Sequence, residues 1–410
     1  MERLHIAFFG PVNSGKSTLV NAICGQEVSL VSSQPGTTTD PVRKTVELPG
    51  LGPCVLIDTA GLDDESLLGP ERRRRTLAIL DETDVAVLVV SGSLTSQTLG
   101  RWEQNSGVNG SNVPGLRTLA QAAGIPTLTY TRGESVESLL ERIRQLAPKE
   151  EERFLTGNLV KAGDCVLLVM PQDSEAPKGR LILPQVQVIR ELLDRGCIPV
   201  CCTPDSLAKA VETVTPRLVI TDSQVFGLVN RTIPAEWPLT SFSILLAGAK
   251  GDLKAFLEGA GAIDRLQPGD RVLIAEACTH VPDTEDIGRV KIPALLQSYV
   301  AGEGIGLKTR GHPRPRKREG PIEDGKGRSE SEGGFETYAS ASVIIDIAAG
   351  NDFPEDLSPY ALIIHCGACV ATRTLVQHRI KKALLAGVPI TNYGIALAKL
   401  TGILDRIVIP

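Results

Sequence analysis

Short apolar runs alternate with longer amphipathic stretches along most of the chain. The first run extends from Leu4 to Phe9 and ends at Gly10, and a helical pattern follows from Gly15 to about Cys24. Such alternation predicts parallel sheets with helices packed on their faces. In this first part we also predict strands at 42–48, 54–57, 84–90 and 125–130, and a helix at 135–146.

The alternation of strands and helices occurs twice more, which predicts three α/β domains at 1–150, 151–245 and 246–410. Further strands are predicted at 165–170, 198–202, 218–220, 271–275, 343–347, 361–364 and 388–391. In one of these strands Cys201 and Cys202 are adjacent, and we expect both to be packed thiols. Residues 303–338 mix basic, acidic and glycine residues with few apolar ones, which predicts a surface insertion.

Composition narrows the class of protein. The chain has 410 residues, 42% of them hydrophobic, a net charge of -5 and nine cysteines. The hydrophobic content excludes wholesale disorder, and the acidic balance disfavours nucleic acid as a partner. The odd cysteine count, the lack of a signal-peptide pattern and the lack of a long apolar run predict a cytoplasmic protein with reduced thiols and no membrane span. Clustered thiols then point to metal or redox chemistry.

Residues 10–17, GPVNSGKS, fit the phosphate-loop pattern G-x-x-x-x-G-K-[ST]. Gly10 and Gly15 let backbone amides close around phosphates, Lys16 supplies a positive charge to the outer phosphates, and Ser17 offers a hydroxyl group to Mg²⁺. The loop lies between a predicted strand and a predicted helix, which is the context that this function requires. Ser14 and Thr18 complete the predicted phosphate contacts.

Two further segments fit a nucleotide site. Asp58 and Gly61 follow the strand at 54–57, where the carboxylate can hold Mg²⁺ through water and the amide of Gly61 can contact the outermost phosphate. Residues 36–40, GTTTD, lie between the first helix and the second strand, at the position of a switch loop that covers Mg²⁺.

Together these segments resemble GTPases related to Era and to the tRNA-modifying GTPase. The resemblance implies GTP as substrate, contacts from Thr37 and Thr38 with Thr38 on the Mg²⁺ side, and a potassium ion at Asn13. Lys16, Thr38 and Asp58 are then the catalytic group. Leu62 stands where Ras-type proteins carry a water-orienting glutamine, so potassium assists or hydrolysis is slow.

The sequence departs from the pattern of these GTPases at the segment that recognises the guanine base. No N-K-x-D motif follows the strand at 84–90, and about one helix and one strand are missing before the strand at 125–130. That strand and residues 131–133 resemble the loop that backs the base in these GTPases. We expect a surviving phosphate site with weakened guanine recognition.

A second constellation consists of Cys278 and His280, followed after 84 residues by His365, Cys366 and Cys369. Each half begins where a predicted strand ends, and the carboxyl ends of parallel strands meet at one crevice. We therefore expect these residues to converge. Three thiolates and a histidine suit either a structural zinc site or an iron–sulfur cluster, and spacing alone leaves both open.

The pattern C-x-H…H-C-x-x-C, which follows an N-terminal GTPase unit, resembles the HydF family, the maturation GTPases of [FeFe]-hydrogenase. The resemblance covers all three units and is most specific in the last. The segments that carry the resemblance are 286–293 (DIGRVKIP), 350–354 (GNDFP), 364–369 (IHCGAC) and 387–394 (GVPITNYG). It implies an N-terminal P-loop GTPase domain followed by two further parallel-sheet α/β domains, of which the middle one dimerises and the last binds a 4Fe-4S cluster.

By the same resemblance Cys278, Cys366 and Cys369 are the cluster thiolates, and His280 or His365 is the fourth ligand or lies near the open site. The implied function is a scaffold that carries a di-iron precursor to apo-[FeFe]-hydrogenase, with radical-SAM maturation proteins as further partners. Two alternatives stay open: an RNA-modifying GTPase of the Era type, and a zinc-stapled interaction protein with a vestigial nucleotide site.

Overall fold

The computed structural model contains three separate sheets with helices packed against them. It describes residues 3–11, 13–25, 41–61, 76, 78–90, 116–148, 154–172, 181–277, 286–301, 343–350, 352–369 and 371–410. Within these residues, no helix is both long enough and apolar enough to cross a bilayer.

The first sheet has five strands in the order β2-β3-β1-β4-β5, parallel except for the β2–β3 pair. Its elements are β1 (Leu4–Phe9), α1 (Lys16–Cys24), β2 (Val42–Leu48), β3 (Gly52–Asp58), β4 (Val85–Val90), α2 (Leu116–Ala123), β5 (Thr127–Thr131) and α3 (Val136–Leu146). Phe8 packs in one apolar layer and Phe9 in the other, which is why β1 and β4 are apolar throughout. The predicted strands are confirmed, and β5 pairs directly with β4.

The middle sheet has four parallel strands in the order β7-β6-β8-β9. Its elements are β6 (Cys165–Val169), α4 (Leu183–Asp194), β7 (Ile198–Cys202), α5 (Leu207–Thr213), β8 (Leu218–Thr221), α6 (Phe226–Thr232), β9 (Leu239–Ser241) and α7 (Phe242–Lys250). Because β7 is an edge strand, Cys201 is exposed, and the expectation that it is packed was wrong. The helix α7 spans the boundary that we expected between 245 and 246.

The third sheet repeats the same arrangement, with the order β11-β10-β12-β13. Its elements are α8 (Leu253–Ala260), β10 (Arg271–Glu276), α9 (Ile292–Val300), β11 (Ile344–Ala349), β12 (Leu362–His365), α10 (Arg373–Leu385), β13 (Ile390–Asn392) and α11 (Tyr393–Leu400). A single π-helical turn, Ile287–Lys291, leads into α9. The predicted insertion at 303–338 lies outside the described residues.

The second and third sheets share one hydrophobic core. Leu167, Val219 and Phe226 of the middle unit belong to the same buried cluster as Leu273 and Ile363 of the third. The end of the chain returns to the middle unit, where the amide of Val408 donates to the carbonyl oxygen of Leu239 at 2.9 Å.

Candidate nucleotide and cluster sites

The phosphate loop connects β1 to α1, as the motif predicts. Gly15 precedes the helix with a φ of 98°, and Asn13 has a φ of 61°, so two left-handed residues turn the chain toward the helix N-terminus. Gly10 must remain glycine, because a Cβ there would lie 2.3 Å from the carbonyl oxygen of Val89. The loop therefore presents backbone amides at the positive end of α1, which suits an anion.

Lys16 folds back over this loop. Its Nζ atom donates to the carbonyl oxygens of Gly10 at 3.1 Å and Pro11 at 2.7 Å, and the residue is only 6% exposed. Ser14 is also buried, and its Oγ atom has no hydrogen-bond partner in the part of the chain that the structure describes. Asn13 and Thr18 are exposed beside the loop.

Asp58 lies at the end of β3, next to the start of α1. It is buried, and this desolvation raises the pKa of its carboxyl group, while a hydrogen bond from Ser17 and the charge of Lys16 act in the opposite direction. The Oδ1 atom of Asp58 is buried without a hydrogen-bond partner among the described residues. A buried orphan carboxylate oxygen beside a serine hydroxyl fits Mg²⁺, which prefers oxygen ligands.

The loop after β5 lies beside the phosphate loop. Arg132 Cδ is 3.9 Å from the position that a Cβ on Gly15 would take. The turn is fixed by hydrogen bonds from Tyr130 Oη to the Glu134 carbonyl at 2.9 Å and from the Thr131 amide to Glu134 Oε2 at 3.3 Å. Residues 131–133, for which the resemblance predicts a base-backing role, thus lie beside the phosphate loop.

The loop Cys366–Cys369 begins at the carboxyl end of β12, beside the end of β10. Ala275 pairs with His365, and the Ala277 amide donates to Cys366 Sγ at 3.1 Å. The Ala368 amide also donates to Cys366 Sγ, at 3.4 Å, from a left-handed conformation with φ 51°. Residue 277 is the last described residue before Cys278, and the first half of the motif, Cys278 and His280, lies outside the described residues.

These contacts fit a metal-bound thiolate. A sulfur that accepts two backbone N–H groups is stabilised as the anion, and such bonds to cysteine sulfur are one of the levers by which proteins tune iron–sulfur clusters. Cys369 is partly exposed at the same loop. Among the described residues, no group of three potential metal ligands is assembled. Cys278 and His280 are not among these residues.

Both ring nitrogens of His365 have hydrogen-bond partners within the protein. It is 1% exposed, its Nδ1 atom is 2.9 Å from the Cys366 carbonyl oxygen, and its Nε2 atom is 3.2 Å from Arg379 Nη1. A guanidinium only donates hydrogen bonds, so Nε2 accepts and Nδ1–H donates. Burial, together with the charge of Arg379, lowers the pKa of His365 to about 4. Both nitrogens of the neutral ring are therefore already used.

Sequence reasoning did not find Arg379. This residue of α10 is 4% exposed and donates to His365, to the Glu276 carbonyl at 3.2 Å and to the Gly350 carbonyl. It thus holds together the carboxyl ends of β10, β11 and β12. An arginine in the middle of an amphipathic helix does not by itself indicate a buried role, since most such residues face solvent.

Several predicted site residues lie outside the described part of the chain. They are Thr37, Thr38, Leu62, Cys278 and His280. The segment 91–115, in which we expected the base-recognition motif to be missing, is also outside it.

Three family models cover most of the chain. Residues 155–251 match the hydrogen maturase F dimerization domain, and residues 254–317 and 323–410 match the hydrogen maturase F tetramerization domain. Residues 5–112 match the 50S ribosome-binding GTPase family. The chain belongs to the HydF family of hydrogenase maturation GTPases. Its first unit is accordingly a P-loop GTPase domain, and the later units are parallel-sheet α/β structures.

Curated relatives match the first unit. The tRNA modification GTPase MnmE of Myxococcus xanthus is 42% identical over 106 residues, which are 25% of this chain and 23% of that protein. The GTPase Der of Kosmotoga olearia is 37% identical over 98 residues, 23% of this chain and 22% of Der. The chain thus spans about a quarter of the length of these relatives.

Among solved structures, a variant of Era from Aquifex aeolicus bound to GDP and aluminium fluoride is similar with a TM-score of 0.29 and 17% identity. The likeness covers 57% of this chain and 99% of that one.

Proposed function

We propose that the protein is a maturation scaffold for [FeFe]-hydrogenase that binds a 4Fe-4S cluster through Cys278, Cys366 and Cys369. The observation that supports this most directly is the Cys366 thiol, which accepts amide hydrogen bonds from Ala277 and Ala368. In this proposal His280 is the fourth, labile ligand or a group near the open site. His365 instead orients the loop, because both of its nitrogens are bonded.

The chain's own residues prepare the site. Arg379 fixes the neutral tautomer of His365, and His365 in turn holds the Cys366 carbonyl, so the loop keeps its shape. When bound, the cluster supplies an iron with an exchangeable coordination position. The protein then carries a di-iron precursor as cargo and delivers it to apo-[FeFe]-hydrogenase, with radical-SAM maturation proteins supplying the cargo, in the reducing cytoplasm.

We propose that the first domain binds GTP with Mg²⁺ and hydrolyses it slowly as a regulatory switch. Lys16 and the amides of the loop at Gly10, Asn13, Ser14 and Gly15 face the phosphates, Ser17, Thr38 and Asp58 hold Mg²⁺, and Thr18, Thr37 and Gly61 complete the contacts. Asn13 is the proposed potassium ligand. Calorimetry with GTP, GDP and ATP tests the base preference, and an undiminished GTP preference would overturn the weakened base site.

We also propose that the chain associates with copies of itself. The family's domain descriptions, dimerization and tetramerization, support self-association of this chain. The middle unit also has an edge strand, β7, whose Ile198 is 58% exposed. Homodimers, and tetramers built from them, are the states that we expect in solution.

Anaerobic reconstitution with iron and sulfide tests the cluster. The wild-type chain should take up about four irons and give an iron–sulfur EPR signal on reduction, as a 4Fe-4S cluster requires. Cys278→Ser, Cys366→Ser and Cys369→Ser should each lose the signal, whereas Cys201→Ser, at an exposed thiol of the edge strand, should retain it. Stoichiometric zinc without iron uptake would refute the proposal in favour of a zinc-stapled protein.

Transfer tests the scaffold role. Loaded protein incubated with apo-[FeFe]-hydrogenase should yield hydrogen evolution, and the cysteine variants should not. A gel-shift assay with RNA distinguishes the remaining alternative, because an RNA-modifying GTPase would bind RNA and would not need the cysteines.

A further inference from the structure

Lys250 is a buried lysine that contacts the cysteine loop from another part of the chain. It is the last residue of α7 and is only 7% exposed. Its Nζ atom donates to the carbonyl oxygens of Ala368 at 3.1 Å, Cys369 at 3.4 Å and Ala371 at 2.8 Å. An ammonium group has three N–H donors, so it can bond several carbonyl oxygens of one loop at the same time.

A reciprocal contact fixes the end of α7. The Nε2 atom of Gln377, on α10, donates to the carbonyl oxygens of Lys250 at 3.0 Å and Gly251 at 2.9 Å. The side chain of Lys250 thus holds the loop that precedes α10, while α10 holds the backbone of Lys250. The two segments cannot shift relative to each other without breaking five hydrogen bonds.

The ammonium group of Lys250 lies on the carbonyl side of the peptides in the cysteine loop. Burying an ammonium group is costly unless polar atoms replace its water, and here backbone carbonyls do so. In a planar trans peptide the C=O and N–H groups point in opposite directions. Because the Ala368 carbonyl points to Lys250, the Cys369 amide of the same peptide points away from it. The cation therefore polarises the peptides of the loop and places one positive charge at the backbone carbonyl of Cys369.

We propose that Lys250 is a positioning residue for the cluster, so that the dimerization-family segment 155–251 supplies part of the cluster site. It holds the carbonyl groups of Ala368, Cys369 and Ala371 in the arrangement that presents Cys369, and its charge offsets the negative charge of a three-thiolate cluster. Net charge and amide hydrogen bonds are the terms that set the potential of such clusters. The inference rests on the proposed cluster function.

Three full-length variants test it. Lys250→Met removes donors and charge at similar volume, Lys250→Gln keeps an amide donor without charge, and Lys254→Met removes an exposed lysine of α8 whose side chain is 85% exposed. In reconstituted protein, Lys250→Met should lose iron to a chelator about 10-fold faster or more, the scale typical of residues that orient metal ligands. Its cluster potential should be more negative than that of the wild type.

Lys250→Gln should lose iron more slowly than Lys250→Met, because its amide group can still donate to the loop carbonyls. It should still show the more negative cluster potential, because it lacks the positive charge. Lys254→Met should match the wild type in both. If circular dichroism shows that Lys250→Met is unfolded, the cluster potential of Lys250→Gln alone tests the inference. Wild-type potentials in both Lys250 variants would overturn the inference.

A measurement without iron separates this inference from the proposed function. In apo-protein, alkylation of Cys369 by iodoacetamide, followed by peptide mass spectrometry, should be faster in Lys250→Met than in the wild type and in Lys254→Met. If the wild type takes up no iron, the cluster proposal fails while the alkylation result still reports on Lys250. If iron is bound normally and alkylation is unchanged, only the role of Lys250 is refuted.

Discussion

The hydroxyl group of Thr374 donates a hydrogen bond to Asp84 Oδ1, although the two residues are 290 positions apart. Asp84 immediately precedes β4, and its other oxygen accepts the His5 amide of β1 at 2.8 Å. One turn further along α10, His378 Nδ1 lies 3.7 Å from Asp81 Oδ1. The helix that follows the cysteine loop therefore contacts the first sheet where β1 and β4 begin. We expect this contact to carry any coupling between the proposed nucleotide and cluster sites.

We expect Thr374→Val to uncouple the two sites. The variant should bind GTP and iron as the wild type does, because Thr374 touches neither site, but any difference between the GTP-bound and GDP-bound forms in the EPR spectrum should shrink. EPR titrations with both nucleotides measure this. Thr213→Val, at an exposed position on α5, is the matched control. A nucleotide-dependent difference of wild-type size in Thr374→Val would contradict this route.

Lys16→Met should weaken binding of Mg²⁺–GTP. The variant removes charge-assisted hydrogen bonds to phosphate, each of about 1.5–3 kcal/mol, so affinity should fall about one to two orders of magnitude. Isothermal calorimetry measures the change. Lys209→Met, on exposed α5, should leave the affinity unchanged. Equal affinities for all three proteins would show that the phosphate loop is not the nucleotide site.

His280→Ala should affect the EPR spectrum of the cluster, whereas His365→Gln should affect the stability of the fold. If His280 is the labile ligand, its removal should change the EPR line shape while the iron content persists on the three thiolates. His365→Gln should lower thermal stability, because the Arg379 guanidinium and the Cys366 carbonyl lose their partners, and it should leave the line shape of the folded fraction as it is. An altered line shape in His365→Gln alone would reverse the assignment.

Gly259→Ala should destabilise the packing of α8 on β13. A Cβ at this position would lie 2.0 Å from the Ile390 carbonyl oxygen, a backbone atom that cannot move without disturbing the sheet. We expect a loss of about 1–3 kcal/mol, the usual cost of overpacking a core. Urea unfolding measures it. In Gly227→Ala, on α6, the nearest atom is the flexible end of Arg231 at 3.4 Å, so that variant should be neutral or slightly stabilised.

The stabilising effect of Asp264 should depend on pH. Hydrogen bonds from Lys399 at 2.7 Å and Tyr299 at 2.6 Å lower the pKa of its carboxyl group below the ordinary value of 3.8. The folded state thus favours the ionised form, so the contribution is present above pH 3.8 and disappears as the pH falls through the lower folded pKa.

Asp264→Asn should accordingly lower the free energy of unfolding at pH 7 by less than about 1 kcal/mol, as expected for a partly exposed ion pair. The difference from the wild type should narrow as the solution is acidified below the ordinary carboxyl pKa. Unfolding by urea at a series of pH values measures both. Asp205→Asn, at an exposed position, should show no such trend, and a cost for Asp264→Asn that grows on acidification would contradict the assignment.

The sequence predicted most strands because they are short runs of apolar and β-branched residues, and some of them, such as β4, are buried along their whole length. It missed β9, since Leu239–Ser241 is too short to show a pattern. It also misjudged Cys201, because an edge strand and a central strand can have the same residues, and only the strand order distinguishes them.

The phosphate loop could be recognised because its residues are contiguous and each has a fixed task. The pairing of the two halves of the cysteine motif stays a prediction, because Cys278 and His280 lie outside the described residues. Arg379 and Lys250 could not be predicted, since their partners are fixed by how α10 and α7 pack between two sheets. No local pattern records such packing.

The shared core and the returning chain end have a thermodynamic consequence. Pro410 lies against Gly157 and Gly248, so the stretch from the middle unit to the end of the chain is closed on itself. Residues 154–410 should therefore unfold in one cooperative transition rather than two. A substitution that loosens the packing of the middle sheet would then lower the melting temperature of the cysteine loop as well, and calorimetry would record a single peak for both units.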